Sequence, residues 1–363
     1  MKKLNVLVPS VLALFVASAA HAGASFDTPQ GKLNIGGDVE YDVTADNFNE
    51  NKYDDNGNWV VADATDTQQV GGRILVDISG ERALANGNYA NFKVNPLYGQ
   101  KGEKKLDDAW FGFGVKNDWG FKLGHFEAYD LSPAGQDTYV VGYGDKIYRA
   151  KDGRGRNSNG GQAMFTKENG QWHFEVATQF GEYGNTGYFD EYTGEIKNKD
   201  PLLVRPVLAW TGDTVTVAVG GEFNLITDAY VADVNAGGNA REEISDWSGY
   251  GATATAKVSD DLSIGLRGAY RAGDELDQYS VGPNVQYQNF FVSYLFGKTE
   301  YAEDFSADDA KYNVVYASYK IPAVMGIDNF DMYLGASWGN EKIATADEST
   351  EELGGRVRFK YFF

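Results

Sequence analysis

The feature that most constrains this chain is an alternation of apolar and polar residues with a period of two. In residues 33–44, apolar side chains occupy one face while Asp38 and Glu40 lie on the other, and residues 262–271 and 329–339 repeat the pattern. Because successive side chains of a strand point to opposite faces, this pattern predicts β-strands with one apolar and one polar surface. Aromatic residues at 14%, with only 8 prolines, agree with that prediction.

The same test along the whole chain predicts sixteen strands. They cover residues 33–44, 70–81, 88–96, 107–116, 119–126, 160–167, 172–181, 202–211, 214–223, 248–258, 262–271, 278–287, 290–298, 311–320, 329–339 and 352–363. Tight connections such as 117–118 and 212–213 mostly alternate with long ones such as 45–69 and 127–159. An even number of alternating strands with short turns at one end and long loops at the other is typical of outer-membrane barrels, whose sheet must close because lipid cannot satisfy an open edge. We therefore predict an all-β, sixteen-stranded transmembrane antiparallel β-barrel, since a soluble β-sandwich or propeller has no reason to sort its connections by length.

Both ends of the sequence carry features of export and assembly. Two lysines precede an apolar stretch that ends in Ala-His-Ala at 20–22, which predicts a secretory signal peptide over residues 1–22. Residues 23–363 are then expected to form a single barrel domain in the outer membrane of a Gram-negative bacterium. The last strand is amphipathic and ends in Phe363, a pattern that resembles the signal by which the barrel-assembly machinery recognises outer-membrane proteins.

Charge and composition exclude several classes of function. The chain has 32 Lys and Arg against 52 Asp and Glu, a formal net charge of −20, which argues against nucleic-acid binding. The lack of cysteine removes thiol catalysis, thiolate metal sites and disulfides. Nearly all of the net acidity falls in the predicted outer loops, which favours solubility as its role and leaves bridging of divalent cations to lipopolysaccharide as an alternative. We predict no metal site and no cofactor.

Residues 109–126 carry a resemblance to a known family. They read Ala-Trp-Phe-Gly-Phe-Gly-Val-Lys-Asn-Asp-Trp-Gly-Phe-Lys-Leu-Gly-His-Phe, two strands that meet at a two-residue turn. This segment resembles the fourth and fifth strands of trimeric Gram-negative porins. The resemblance implies a homotrimer in which the loop after the fifth strand, here 127–159, folds into the lumen and narrows the channel. This chain has Gly124-His125 where general porins usually have Gly-Arg, so their basic-residue geometry does not transfer directly.

A longer stretch resembles the raffinose-type glycoporins, a carbohydrate-porin family. It runs from Gly71-Gly72-Arg73-Ile74 through Leu106-Asp107-Asp108-Ala109-Trp110 to Ala128-Tyr129-Asp130. The resemblance implies uptake of oligosaccharides across the outer membrane.

The predicted constriction loop 127–159 mixes tyrosines with charges of both signs. Its candidate substrate-path residues are Tyr129, Asp130, Asp137, Tyr139, Tyr143, Asp145, Tyr148 and Arg149. Sugar rings offer C–H faces that stack on aromatic rings, and their hydroxyls hydrogen-bond to carboxylates and guanidinium groups. The alternative is that these tyrosines pin the loop to the barrel wall and that the charges pair with one another.

Strand phases turn a second set of candidates towards the lumen. They are Arg73, Lys93, Trp110, Arg356 and Arg358. The four bases lie on strands two, three and sixteen, which become neighbours once the barrel closes, so we expect a basic wall that could oppose Asp130, Asp137 or Asp145. Trp110 is either a platform for sugar stacking or a residue covered by the inserted loop. The same phases turn further bases inward, namely Lys122, Arg205, Arg267 and Arg271.

Enzyme hypotheses find little support in the sequence. His173 is the one histidine left as a lumen candidate, and the sequence has no nucleophile elbow, P-loop or HExxH motif. A glycosidase-like carboxylate pair stays open. We predict no catalytic residues and a porin for passive diffusion of ions and small hydrophilic solutes, with oligosaccharides preferred. The alternatives are a general ion and nutrient porin without a sugar site, and a barrel that acts mainly as a surface receptor or adhesin.

Overall fold

The chain folds, in a computed structural model, into one ring of antiparallel strands. The structure describes residues 23–53, 59–133, 135–136, 138, 140–156, 159–182, 188–190, 195–197, 202–226, 231–233, 241–243, 247–274, 276–302, 308–344 and 349–363. The predicted signal peptide, residues 1–22, lies outside the described residues.

Sixteen strands form the ring, which confirms the predicted number and order. They are β1 (Gly31–Tyr53), β2 (Trp59–Ala83), β3 (Asn88–Gly99), β4 (Lys104–Val115), β5 (Trp119–His125), β6 (Asn159–Asn169), β7 (Trp172–Glu182), β8 (Leu202–Thr211), β9 (Val215–Asn224), β10 (Trp247–Lys257), β11 (Leu262–Gly273), β12 (Leu276–Tyr287), β13 (Phe290–Tyr301), β14 (Ala310–Ile321), β15 (Phe330–Ile343) and β16 (Ser349–Phe362). Each strand pairs antiparallel with the next. The last strand pairs with the first, from Asp38 opposite Phe362 to Asn51 opposite Ser349, so the sheet closes on itself.

A few short elements lie outside the ring. The strand Ala24–Thr28 folds back on the start of β1, and two small hairpins pair 188–190 with 195–197 and 231–233 with 241–243. One helical turn, α1 (Tyr143–Lys146), lies between β5 and β6. Among the described residues, no helix is long and apolar enough to cross a membrane.

The two faces of the ring differ as the period-two pattern predicts. On β11, Leu266 points outward and is 53% exposed, whereas its neighbour Arg267 points inward and is only 3% exposed. Ile264 and Tyr270 share the outward face with Leu266 and are also exposed. An apolar outer band suits the hydrocarbon of a membrane, and polar side chains can then face only the interior.

The first hairpin departs from the sequence prediction. Residues 45–69 were expected to form a long loop, but β1 continues to Tyr53 and β2 begins at Trp59. The alternation of apolar and polar residues fades beyond Val43, since the outward positions become Ala45, Asn47 and Asn49. Backbone pairing continues where the apolar signal has ended, so a pattern that detects lipid-facing side chains does not detect this extension.

Candidate functional site

The connection between β5 and β6, residues 126–158 and hereafter the β5–β6 segment, packs against inward side chains of the ring. One attachment is to Glu222 on β9, whose carboxylate accepts hydrogen bonds from the segment. The Tyr148 hydroxyl donates to Glu222 Oε1 at 2.6 Å and the Gly153 amide donates to Oε2 at 2.9 Å. Arg205 Nε lies 3.6 Å from Glu222 Oε2. Arg205 and Glu222 are both fully buried, at 0% exposure. We call these four residues the Glu222 anchor.

Burial and the adjacent Glu222 carboxylate raise the pKa of the Tyr148 hydroxyl. The hydroxyl therefore stays protonated and acts as a donor to Glu222. Since a buried carboxylate is costly unless it is paired and hydrogen-bonded, the segment and the wall stabilise each other at this point.

Earlier residues of the segment contact β11, β14 and the turn between β12 and β13. Arg267 Nη1 donates to the Pro133 carbonyl at 2.7 Å. Gln136 donates to the Asn289 carbonyl at 3.0 Å and accepts from the Ser318 hydroxyl at 2.8 Å. These contacts come from strands and turns far apart in the chain, which only the closed ring brings together.

Helix α1 attaches the segment to β15 and β16. The Tyr143 hydroxyl donates to Thr350 Oγ1 at 2.8 Å, and Lys146 Nζ lies 2.6 Å from Glu341 Oε2. Burial raises the pKa of Tyr143 to about 12, so this hydroxyl is also a neutral donor. Apolar side chains of the segment pack with inward residues of β13 and β14 in one cluster, which comprises Val141, Tyr143, Ile147, Leu295, Ala310, Tyr312 and Val314.

Glycines on the inner wall make room for the segment. A Cβ atom on Gly335 would lie 2.7 Å from the Thr138 carbonyl oxygen, and one on Gly354 would lie 3.0 Å from Val140 Cβ. Comparable close approaches to the segment occur at Gly220, Gly249, Gly251, Gly297 and Gly339. A larger side chain at these positions would contact the segment and require a local shift, so part of the high glycine content serves this packing.

The wall formed by β16, β1 and β2 carries a charge ladder, by which we mean Asp38, Glu40, Asp42, Arg73, Arg356, Arg358 and Lys360. Arg358 binds Asp42 through two nitrogens, each at 2.8 Å. Lys360 Nζ lies 2.5 Å from Glu40 Oε1, and Arg73 Nε lies 3.1 Å from Glu40 Oε2. In the order of the ring, this wall lies opposite β8 to β11, where the Glu222 anchor holds the segment.

A second run of alternating charges joins the wall to the β5–β6 segment. Lys93 Nζ lies 3.1 Å from Asp77 and 3.6 Å from Asp108. Arg156 of the segment lies 3.2 Å from Asp108 and 2.7 Å from Asp107. In this run, each of these charges therefore has a neighbour of opposite sign.

This pairing corrects the expectation of a basic wall. Arg73, Lys93, Arg356 and Arg358 do belong to one wall, but acids of the same wall neutralise them, and Asp130 of the segment pairs with Arg154 at 3.6 Å. Asp38, Glu40 and Asp42 share the polar face of β1 and lie beside these bases. Which acid lies beside which base depends on the register between the first and last strands, and this register is set when the sheet closes.

The three described tyrosines of the segment, Tyr129, Tyr143 and Tyr148, are engaged in packing or hydrogen bonds. Tyr143 and Tyr148 are 3% and 5% exposed with their hydroxyls already bonded to the wall, so the structure favours pinning for these two. Tyr129 stacks on His173 with ring centroids 5.7 Å apart, and burial, Asp130 and Glu175 raise its pKa.

The remaining candidates of the segment are less informative. Arg149 is half-buried. Burial raises the pKa of Asp152, and the positive charges of Arg271, Lys151 and Arg149 partly oppose this shift. Asp145 belongs to α1. Asp137 and Tyr139 lie outside the described residues.

Trp110 faces the interior as predicted, while Phe111 beside it points outward and is exposed. The ammonium of Lys122 lies 4.6 Å from the centre of the Trp110 ring. Trp110 also packs beside Phe126, the first residue of the segment, so the ring is partly covered and half-buried. The partial cover agrees with the second of the two alternatives for Trp110, and a role in sugar stacking stays a prediction.

Sequence reasoning missed the groups that hold the segment. Glu222 is one of many polar residues on the predicted strands and was not singled out, and Arg205 was predicted only as an inward base. An inward acid and an inward base on adjacent strands are a weak signal, because the partner from the segment is more than 50 residues away in the chain. Among the described residues, no group of His, Asp and Glu is arranged to hold a metal ion.

A closed sixteen-stranded barrel with an apolar outer face and a charged interior defines an outer-membrane porin. The sequence profile of the family described as porin-like glycoporin RafY matches residues 35–363. The chain belongs to this family.

Solved structures of other barrels have the same fold. A form of OmpT from Vibrio cholerae that lacks loop L8 superposes with a TM-score of 0.59 at 17% identity, covering 92% of this chain and 100% of that one. Outer-membrane expressed OmpT of Vibrio cholerae gives 0.58 at 14% identity over 94% and 100% of the two chains. A mutant porin of Rh. blastica gives 0.51 at 13% identity over 91% and 100%. At these identities the likeness concerns the fold alone, and no curated protein sequence matches the chain significantly.

Proposed function

We propose that this porin allows passive diffusion of small hydrophilic solutes into the periplasm and favours uncharged oligosaccharides over ions of similar size. The observation that carries the proposal is the pairing of charges along the lumen wall. The charge ladder has three acids and four bases, and the neighbouring run of Asp77, Lys93, Asp107, Asp108 and Arg156 alternates in the same way.

Paired charges produce a weak net field but leave many hydrogen-bonding groups along the path. Pores select solutes by their diameter and by the groups that line them. A path of this kind attracts neither ion strongly, whereas it can exchange hydrogen bonds with sugar hydroxyls. The family description as a glycoporin agrees with this preference.

The β5–β6 segment is proposed to set the diameter of the path. Its contacts with Glu222, Arg267, Ser318 and Thr350 involve inward side chains from β9, β11, β14 and β16. A segment held by the inner sides of these strands lies inside the barrel. Solutes would then pass between the segment and the charge ladder.

Further parts of the proposal follow from the family and the sequence. Residues 1–22 act as a signal peptide, residues 23–363 form one barrel domain that assembles as a homotrimer, and the strand ending in Phe363 is read by the barrel-assembly machinery. The outer loops face lipopolysaccharide. The barrel has no catalytic role and needs no cofactor.

Swelling of proteoliposomes in iso-osmotic solutes tests the function with three solutes of one size: glucose, gluconate and glucosamine. We expect glucose to enter fastest, because it exchanges hydrogen bonds with the wall, whereas the weak net field attracts neither of the two charged solutes. Raffinose should enter more slowly but measurably. Equal or faster entry of gluconate or glucosamine would instead indicate a general ion and nutrient porin. No swelling in any solute would contradict a channel and favour a surface receptor.

A further inference from the structure

The wall of β1 to β4 carries a cleft whose lining includes no described residue of the β5–β6 segment. It has a volume of about 580 Å³ and lies between the Asp108–Arg156 pair and the short turns. Its inward lining includes Ser79, Asn91, Lys93 and Trp110. The short-turn end of such barrels faces the periplasm.

A second cleft of about 200 Å³ continues this one toward the short turns and shares Glu81 and Asn91 with it. Tyr89 lines the second cleft. We propose that the two together form a binding groove for an uncharged oligosaccharide on the periplasmic side of the β5–β6 segment, with Trp110 and Tyr89 as stacking platforms. The inference rests on the proposed function. It assigns the sugar site of the porin to the wall instead of to the β5–β6 segment.

Tyr89 lies flat against the wall. It is directly opposite Gly114 on β4, which is in turn opposite Gly120 on β5. A Cβ atom on Gly120 would lie 2.6 Å from the Tyr89 hydroxyl oxygen, so the tyrosine side chain crosses β4 where a glycine stands. A ring lying over glycines presents its other face to the lumen, which is the orientation that stacking on a sugar ring requires.

The spacing of the two aromatic residues suits a ligand of more than one ring. Trp110 is directly opposite Lys93, and Tyr89 precedes Lys93 by four residues on β3. At a rise of about 3.3 Å per residue, the platforms are roughly 13 Å apart along the wall. A single monosaccharide cannot touch both, whereas an oligosaccharide can.

Polar groups between the platforms are placed to bind hydroxyls. Asn91 lies between Tyr89 and Lys93 and lines both clefts. Asp77 and Lys93 pair at 3.1 Å, so the groove offers both donors and acceptors without a net charge from this pair. Such a lining recognises a neutral, hydroxyl-rich chain better than an ion.

Single-channel currents in planar bilayers test the groove, with raffinose or maltotriose added on the short-turn side in KCl. The variants are Trp110→Ala and Tyr89→Ala, with Phe111→Ala as the matched control, since Phe111 adjoins Trp110 on the same strand but points to lipid. We expect each groove variant to raise the half-blocking sugar concentration about three- to tenfold, the size of a lost aromatic contact. Phe111→Ala should leave it unchanged, and Trp110→Phe should restore part of the blocking.

Asn91→Leu provides a second test that leaves both rings in place, and it should also raise the half-blocking concentration. The groove would be overturned, and the sugar preference kept, by the following result. Sugar blocking stays at the wild-type level in Trp110→Ala, Tyr89→Ala and Asn91→Leu but is reduced in Tyr129→Ala. Steady wild-type current that ignores every sugar would contradict the sugar preference itself, and the groove with it.

Discussion

Glu222→Ala is expected to release the β5–β6 segment from the wall. The substitution removes the acceptor of the Tyr148 hydroxyl and of the Gly153 amide, and it takes from the buried Arg205 the nearer of its two described carboxylate partners, leaving Glu175 at 3.8 Å. Removing one partner of a buried pair costs about 3–5 kcal/mol. Because the strands of the ring keep their own hydrogen bonds, this cost should appear as local opening of the segment while the barrel stays folded.

Amide hydrogen exchange over residues 148–154 measures the opening. We expect exchange there to accelerate by two orders of magnitude or more, as about 3 kcal/mol implies at about 1.4 kcal/mol per tenfold. Single-channel currents should become noisier. The matched control is Asp260→Asn, which removes an exposed acid from a short turn and should change neither quantity. Unchanged exchange in Glu222→Ala would mean that the anchor does not hold the segment.

Neutralising the acids of the charge ladder is expected to make the pore select anions. The triple variant Asp38→Asn, Glu40→Gln and Asp42→Asn keeps the shape of the wall but removes the acidic charges that lie beside its four bases. About 1 kcal/mol of added attraction for chloride corresponds to roughly a fivefold change in the permeability ratio of chloride to potassium. Reversal potentials in a KCl gradient measure this ratio.

Salt dependence and a mirror variant serve as controls for this result. The anion preference should be large at 0.1 M salt and small at 1 M, where the Debye length falls from about 10 Å to about 3 Å. Neutralising Arg73, Arg356 and Arg358 with glutamine should favour cations instead. If the triple acid variant keeps the wild-type ratio at 0.1 M, ions do not pass along this wall.

The strands of the ring could be predicted from sequence because lipid imposes a rule on every one of them. Outward positions such as Ile264 and Leu266 must be apolar, and the polar positions between them, such as Arg267, then point inward. The rule ends at the membrane surface. This is why β1 and β2 extend through residues 45–53 and 59–69, which the pattern assigned to a loop.

The site was predictable only in part, because it depends on contacts between distant parts of the chain. The phases of Arg358 and Asp42 place both side chains in the lumen, but their bond joins residues 316 positions apart. Gly335 and Gly354 look like ordinary strand glycines, and their role becomes visible only when Thr138 and Val140 lie against them. A local pattern gives the direction of a side chain and not its partner.

Disulfide trapping tests most directly whether the β5–β6 segment lies against the inner wall. The native chain has no cysteine, so the pair Val140→Cys and Gly354→Cys can report on one contact alone. A Cβ atom on Gly354 lies 3.0 Å from Val140 Cβ, and a small shift brings this distance into the disulfide range of about 3.5–4.5 Å. Gly355→Cys with Val140→Cys is the control, since adjacent strand residues point to opposite faces.

We measure disulfide formation in the folded barrel by mass spectrometry, together with single-channel conductance. A segment seated against the wall should give near-complete bonding of the 140–354 pair with conductance close to that of the wild type, and no bonding of the 140–355 pair. Absence of the 140–354 disulfide, or equal bonding of the two pairs, would contradict a segment seated inside the barrel.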